Sequence, residues 1–132
     1  MMFSGSRVLG VLGTIFLAII AGTLVYQQEG HSSPKFPTEF QAVLLSTGQV
    51  YYGKLEGFGT GYPVLRDVYY VKSQADPNTK QVANILVRRG NEWHGPDRMY
   101  VNPASIIVVE PVSPGSQVAK LIAEQQQRTS GQ

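Results

Sequence analysis

Val43–Val68 reads VLLSTGQVYYGKLEGFGTGYPVLRDV. Apolar runs stand on either side of Thr47-Gly48, and a third opens after Gly59-Thr60-Gly61-Tyr62-Pro63. Branched and aromatic residues in short runs, punctuated by glycine and proline, are the pattern of strands joined by turns. Working outward, six strands are expected: Glu39–Ser46, Gln49–Phe58, Val64–Ser73, Val82–Arg89, Met99–Val101 and Ile106–Val112. Asp76-Pro77-Asn78 and Asn102-Pro103-Ala104-Ser105 supply further turns. Gly53, inside the second run, predicts a bulge or sharp bend. That many short strands in about 75 residues predict a mainly β unit, a small bent sheet or barrel. Val43, Leu45, Leu55, Val64, Val68, Ile85, Val87, Ile106 and Val108 are the expected core; in the fourth run Ala83, Ile85 and Val87 share one face.

N-terminal to this unit, Val8–Tyr26 reads VLGVLGTIFLAIIAGTLVY, without a charge. As a helix it would run about 28 Å, close to the hydrocarbon thickness of a bilayer. A transmembrane helix, retained rather than cleaved, is therefore expected. Arg7 before it points to a cytoplasmic N-terminus and an extracytoplasmic β domain. Gly10, Thr14, Ala18 and Gly22 recur every four residues, a small-residue stripe that lets a second helix approach closely. Residues 27–38, polar with two prolines, read as a linker. The expected organisation is 1–26 tail and membrane helix, 27–38 linker, 39–112 β domain, and 113–132 a C-terminal helix and tail. That last helix is placed at Ser116–Gln127. Ser116 is its N-cap, and Val118, Leu121 and Ile122 form its apolar stripe.

The run from Val43 to Val68 resembles the first half of the Sm-like family: a hydrophobic strand, a glycine turn at Gly48, then Gly53 and Leu55, then Val64–Val68 as the following strand. The resemblance implies an SH3-like or Sm-like small barrel. It does not carry RNA binding over, because the family's base-binding Asp and Asn would fall at Thr60–Pro63, where neither occurs. The whole chain is also similar to small membrane-anchored bacterial proteins.

Composition narrows the function classes. Eleven Lys and Arg stand against nine Asp and Glu. Such near-neutrality lacks the basic face that phosphate backbones demand, so no nucleic-acid partner is expected. There is no cysteine, which removes disulfides, thiolate catalysis and thiolate metal sites. The glycines between Gly57 and Gly61 precede a strand rather than a helix, so they make no phosphate-cradling loop.

The densest chemistry lies in Gly90–Tyr100, GNEWHGPDRMY. Glu92, His94 and Asp97 are metal-ligand types, but they match no ligand spacing and no second histidine joins them in the domain. Nor does any motif place a nucleophile beside His94. No cofactor and no enzymatic activity are expected. Two readings remain for the loop. In one it is a turn-stabilised segment with Trp93 packed over the barrel end. In the other it is a binding loop, since Trp, Tyr and Arg anchor interfaces. Trp93, Arg98, Tyr100, Leu121 and Ile122 are the candidate interface residues. The leading function is a non-enzymatic, membrane-anchored accessory subunit that meets a membrane-protein partner, or itself, at the lipid bilayer. The alternative is a module for an extracytoplasmic ligand such as a cell-wall polymer.

Overall fold

The computed structural model describes residues 5–29, 34–59 and 61–131; within the first helix, side chains are described from 9 to 21. The chain divides into two units, Met1–Ser32 and Ser33–Gln132. Unit one contains helix α1, Gly5–Glu29. Its described side chains are apolar all round: Leu9, Leu12, Phe16 and Ile19 are each more than half exposed. Among the described residues no helix is long and apolar enough to cross a membrane. The expected span, Val8–Tyr26, runs past the described side chains at both ends and is not borne out by them. Arg7, Gly22 and Tyr26 lie outside those described side chains, as His31 lies outside the described residues.

Unit two is a six-stranded antiparallel sheet followed by a helix. The strands are β1 (Gln41–Leu45), β2 (Val50–Glu56), β3 (Val64–Ala75), β4 (Val82–Arg88), β5 (Arg98–Tyr100) and β6 (Ile106–Pro111). A 3-10 turn, Pro103–Ser105, links the last two, started by the Asn102 side chain accepting the Ala104 N–H. Helix α2 (Gln117–Ser130) begins at Ser116, whose Oγ accepts the Ala119 N–H at 3.2 Å, the expected cap.

The sheet runs β4-β3-β2-β1-β6, with β5 paired to β3. A closed barrel, one of the two expected forms, is corrected to an open sheet. Closure needs β6 to pair onward, but β5 has three residues and spends its pairing on Val64–Arg66 of β3. Strands β4 and β6 therefore remain edges.

Both faces of this sheet are buried, each against a different cover. The inner face gathers Val43, Leu55, Leu65 and Val68, with Phe36, Phe58 and Met99 packed on them. The outer face gathers Phe40, Tyr69, Leu86 and Val112 beneath Ile122 of α2. Three of the expected core residues, Val43, Leu55 and Val68, are buried. Ile85 and Val108 are corrected: both are 38% exposed. On β4 it is Leu86, one position along, that is covered, because α2 lies over the outer face. Period-two reasoning fails there by a single residue, which moves a side chain to the opposite face.

The bend at the centre of the sheet is a bulge. Tyr52 faces Tyr69 and Lys54 faces Arg66, so two steps on β2 oppose three on β3. The extra residue is in β3, where Asp67 takes φ 48°; aspartate tolerates this left-handed conformation better than most side chains. The kink puts Leu65 and Val68 together on the inner face and Tyr69 on the outer. Gly53 stands opposite. Its role is room rather than backbone freedom: a Cβ there would lie 2.9 Å from the Arg66 carbonyl oxygen and 2.9 Å from Leu65 Cδ2. Nearby, buried Gln41 closes the hydrogen bonding: its Oε1 accepts the Leu55 N–H at 2.9 Å and its Nε2 donates to the Thr38 carbonyl at 2.6 Å.

Candidate functional site

The bulge divides β3 into two pairing halves. Val64–Arg66 pairs with β5 and Tyr69–Ala75 pairs with β4. Where the two partners part, a cleft of about 270 Å³ opens. It is lined by Asp67, Arg88, Arg89, Gly90, Asn91, Asp97, Arg98 and apolar neighbours including Val68 and Met99. The segment joining β4 to β5 is its wall, the same segment whose composition stood out.

Every charged group at the fork has a partner. Asp67 bridges Lys54 (3.1 Å) and Arg88 (3.3 Å), and Lys54 also reaches Glu39 at 3.0 Å. The hydrogen bond that Lys54 donates to Glu39, then the one it donates to Asp67, raises its ammonium above the usual range. Arg89 Nε donates to Glu92 at 3.0 Å, and Arg98 grips Asp97 through Nε and a terminal nitrogen at 2.6 Å. The Arg98 hydrogen bond holds the Asp97 carboxyl below the usual carboxylate range. Among the described residues the lining contains no serine, threonine, cysteine or histidine.

Glu92 fixes the loop. Its Oε2 accepts the Gly90 N–H at 2.7 Å while Oε1 holds Arg89, and its carbonyl accepts the Gly95 N–H at 2.8 Å. The Gly90 N–H is the main cause that lowers the Glu92 carboxyl below its ordinary 4.5. A depressed carboxylate supplies its hold above the unfolded value and loses it as pH falls through the folded one. The loop should therefore stay braced above the ordinary carboxylate value and loosen only on acidification below it. Trp93 is the chain's one tryptophan, so its fluorescence anisotropy reports this directly. A drop on acidification is expected in the native chain, whereas Glu92→Gln should be looser already at neutral pH. A Glu92→Gln chain with the same anisotropy as the native chain at neutral pH would mean the carboxylate is not the brace.

The structure separates the three metal-ligand types. Glu92 turns to Arg89 and Gly90, Asp97 turns to Arg98, and His94 is exposed. Among the described residues no three His, Asp or Glu side chains are grouped to hold a metal ion. Trp93 is the clearest departure from the packed-loop reading: at 108% relative exposure, its ring covers nothing.

Of the candidate interface residues, Tyr100 is 67% exposed and Arg98 partly so, both on β5. Leu121 is half-buried and lines a groove with Val71 and Ile85. Ile122 is corrected: at 2% exposure it belongs to the outer-face core and offers no contact surface. Tyr62, at 62% exposure, joins the exposed aromatics. On α1, Thr14 Oγ1 donates to the Gly10 carbonyl at 2.7 Å, and a Cβ at Gly10 would meet nothing within 4 Å. Ala18 is exposed.

No protein-family profile matches the chain, and no curated protein matches it either.

Proposed function

We propose that this chain is a non-enzymatic, membrane-anchored accessory protein that docks to a larger membrane assembly. The uncharged run Val8–Tyr26 forms the anchor. A helix apolar on every side is stable where lipid or another helix surrounds it, which accords with the exposure around α1. Gly10, Thr14, Ala18 and Gly22 are the stripe where a partner helix, or a second copy, packs. With Arg7 on the cytoplasmic side, the β unit faces outward.

The observation that carries an interaction role for the β unit is Trp93, fully exposed on a loop that Glu92 braces. A large ring held out in water on a braced loop is the kind of residue that anchors interfaces when a partner covers it. Trp93→Ala should leave the melting temperature of the chain within a degree or two of wild type, as surface changes do, while weakening capture of the assembly. A large fall in melting temperature would assign Trp93 to packing instead. Affinity capture in mild detergent tests the whole reading. A stoichiometric membrane partner is the expected result, and it should be lost in the Gly10→Leu, Gly22→Leu double variant. A clean monomer would count against it.

A further inference from the structure

Strand β4 pairs with β3 alone, in unbroken register from Arg88 opposite Tyr69 to Val82 opposite Ala75. The Arg89 N–H donates to the Val68 carbonyl, and the bonding of an antiparallel ladder alternates along each strand. Odd-numbered residues of β4 therefore bond to β3, and the N–H and C=O groups of Val82, Asn84 and Leu86 point outward from the sheet. Among the described residues only the Leu86 carbonyl of this set has a partner, the Gln125 side-chain amide at 2.7 Å. Sheet edges are commonly blunted by bulges, proline or charge. The opposite edge, β6, has all three: a register shift that leaves Ile107 unpaired, then Glu110 and Pro111. From Gln81 to Val87 the β4 edge has no charge, no proline and no bulge.

The open stretch is also self-complementary. Val82-Ala83-Asn84-Ile85-Leu86 is a palindrome in polarity, with two apolar residues on each side of Asn84. We propose that two copies of this chain pair antiparallel along β4, about a two-fold axis at Asn84, so that their sheets become continuous. That register sets Ala83 opposite Ile85 of the other copy and Val82 opposite Leu86, apolar against apolar on both faces. The two Asn84 residues exchange their backbone N–H and C=O groups. Each Leu86 N–H donates to the Val82 carbonyl of the other copy, and the Val82 N–H uses the second lone pair of the Leu86 carbonyl beside the Gln125 bond. A second copy suits this edge better than an unrelated strand. Identical residues meet at the axis of an isologous contact, and no charge lies there to repel its own image. In the single chain Val82 is 69% and Ile85 38% exposed, and Ala83 and Asn84 are exposed too. Five residues a side bury less than a standard interface, so the pairing is reversible and is best read by a covalent trap. The inference depends neither on the membrane anchor nor on Trp93.

The chain has no cysteine, so a single introduced thiol reads the register. Facing Asn84 residues would have Cα atoms about 5.5 Å apart, inside the window of roughly 4.4–6.8 Å that a disulfide bridges. Two Val82 residues, four positions out of step, would lie more than about 13 Å apart. Full-length Asn84→Cys and Val82→Cys chains are oxidised under the same mild conditions in detergent. Asn84→Cys should give a disulfide-linked dimer, and Val82→Cys should stay monomeric. Mixed Ala83→Cys and Ile85→Cys chains should link to each other rather than to themselves. Ala83→Lys added to Asn84→Cys should slow linkage severalfold while circular dichroism stays native, because a lysine guards an edge. Equal linkage at Asn84 and Val82 is random collision and overturns the proposal. An Asn84→Cys chain that is native by circular dichroism and reacts freely with maleimide, yet does not link, also overturns it. So does protection of that thiol only when a different protein is added, which would make the occupant a foreign strand.

Discussion

Gly53→Ala should destabilise the β unit by about 1–3 kcal/mol, the range of forced overpacking in a buried site. The added methyl would meet the Arg66 carbonyl oxygen at 2.9 Å and Leu65 Cδ2 at 2.9 Å, with Leu65 Cγ at 3.0 Å. Leu65 is fully buried and cannot swing away. The carbonyl is β3 backbone beside the Asp67 bulge, so it moves only if the β2–β3 ladder opens. For a unit of this size that corresponds to a melting temperature lower by roughly 4–24 °C, read by circular dichroism of the full chain. Gly53→Val should be worse. A melting temperature within about 2 °C of wild type would show that the bulge yields and that the close approach is not structural.

Ile122→Ala should cost about 2–5 kcal/mol, as large-to-small changes in well-packed cores do. The side chain is 2% exposed and joins α2 to Phe40, Tyr69, Leu86 and Val112. Its loss should loosen the whole helix, including the Gln125 side-chain amide that donates to the Leu86 carbonyl at 2.7 Å. Faster hydrogen exchange of α2 amides would accompany the lower melting temperature. Leu121→Ala, half-buried at the groove edge, should cost less. An Ile122→Ala chain that melts like wild type yet loses a partner would return Ile122 to the interface.

These two residues show where sequence reasoning stops. Gly53 was legible as an irregularity, because glycine inside a strand run signals a bulge or a close approach. Which of the two applied was not legible: the extra residue lies across the ladder at Asp67. Ile122 was legible as apolar and on one stripe of a helix. Whether that stripe faces the chain's own sheet or a partner depends on surfaces remote in sequence. Trp93 shows the converse. Glycine and proline brackets identified a structured loop, but packing and exposure of its ring depend on what the loop lies against.

Local signals determined much of this protein. Strand runs, turn punctuation and the Ser116 cap are read from residues a few positions apart, and the six strands and α2 fall within a few residues of their expected bounds. The uncharged run Val8–Tyr26 is a property of sequence alone. The tertiary structure decided what depends on distant residues. Helix α2 covers the outer face through contacts such as Gln125 to Leu86, 39 positions apart, so Leu86 rather than Ile85 is buried. Strand β3 divides its edge between β4 and β5, which leaves the sheet open and forms the cleft at the fork. Burial of both faces produces continuous apolar runs, and such runs carry no period from which to choose a face.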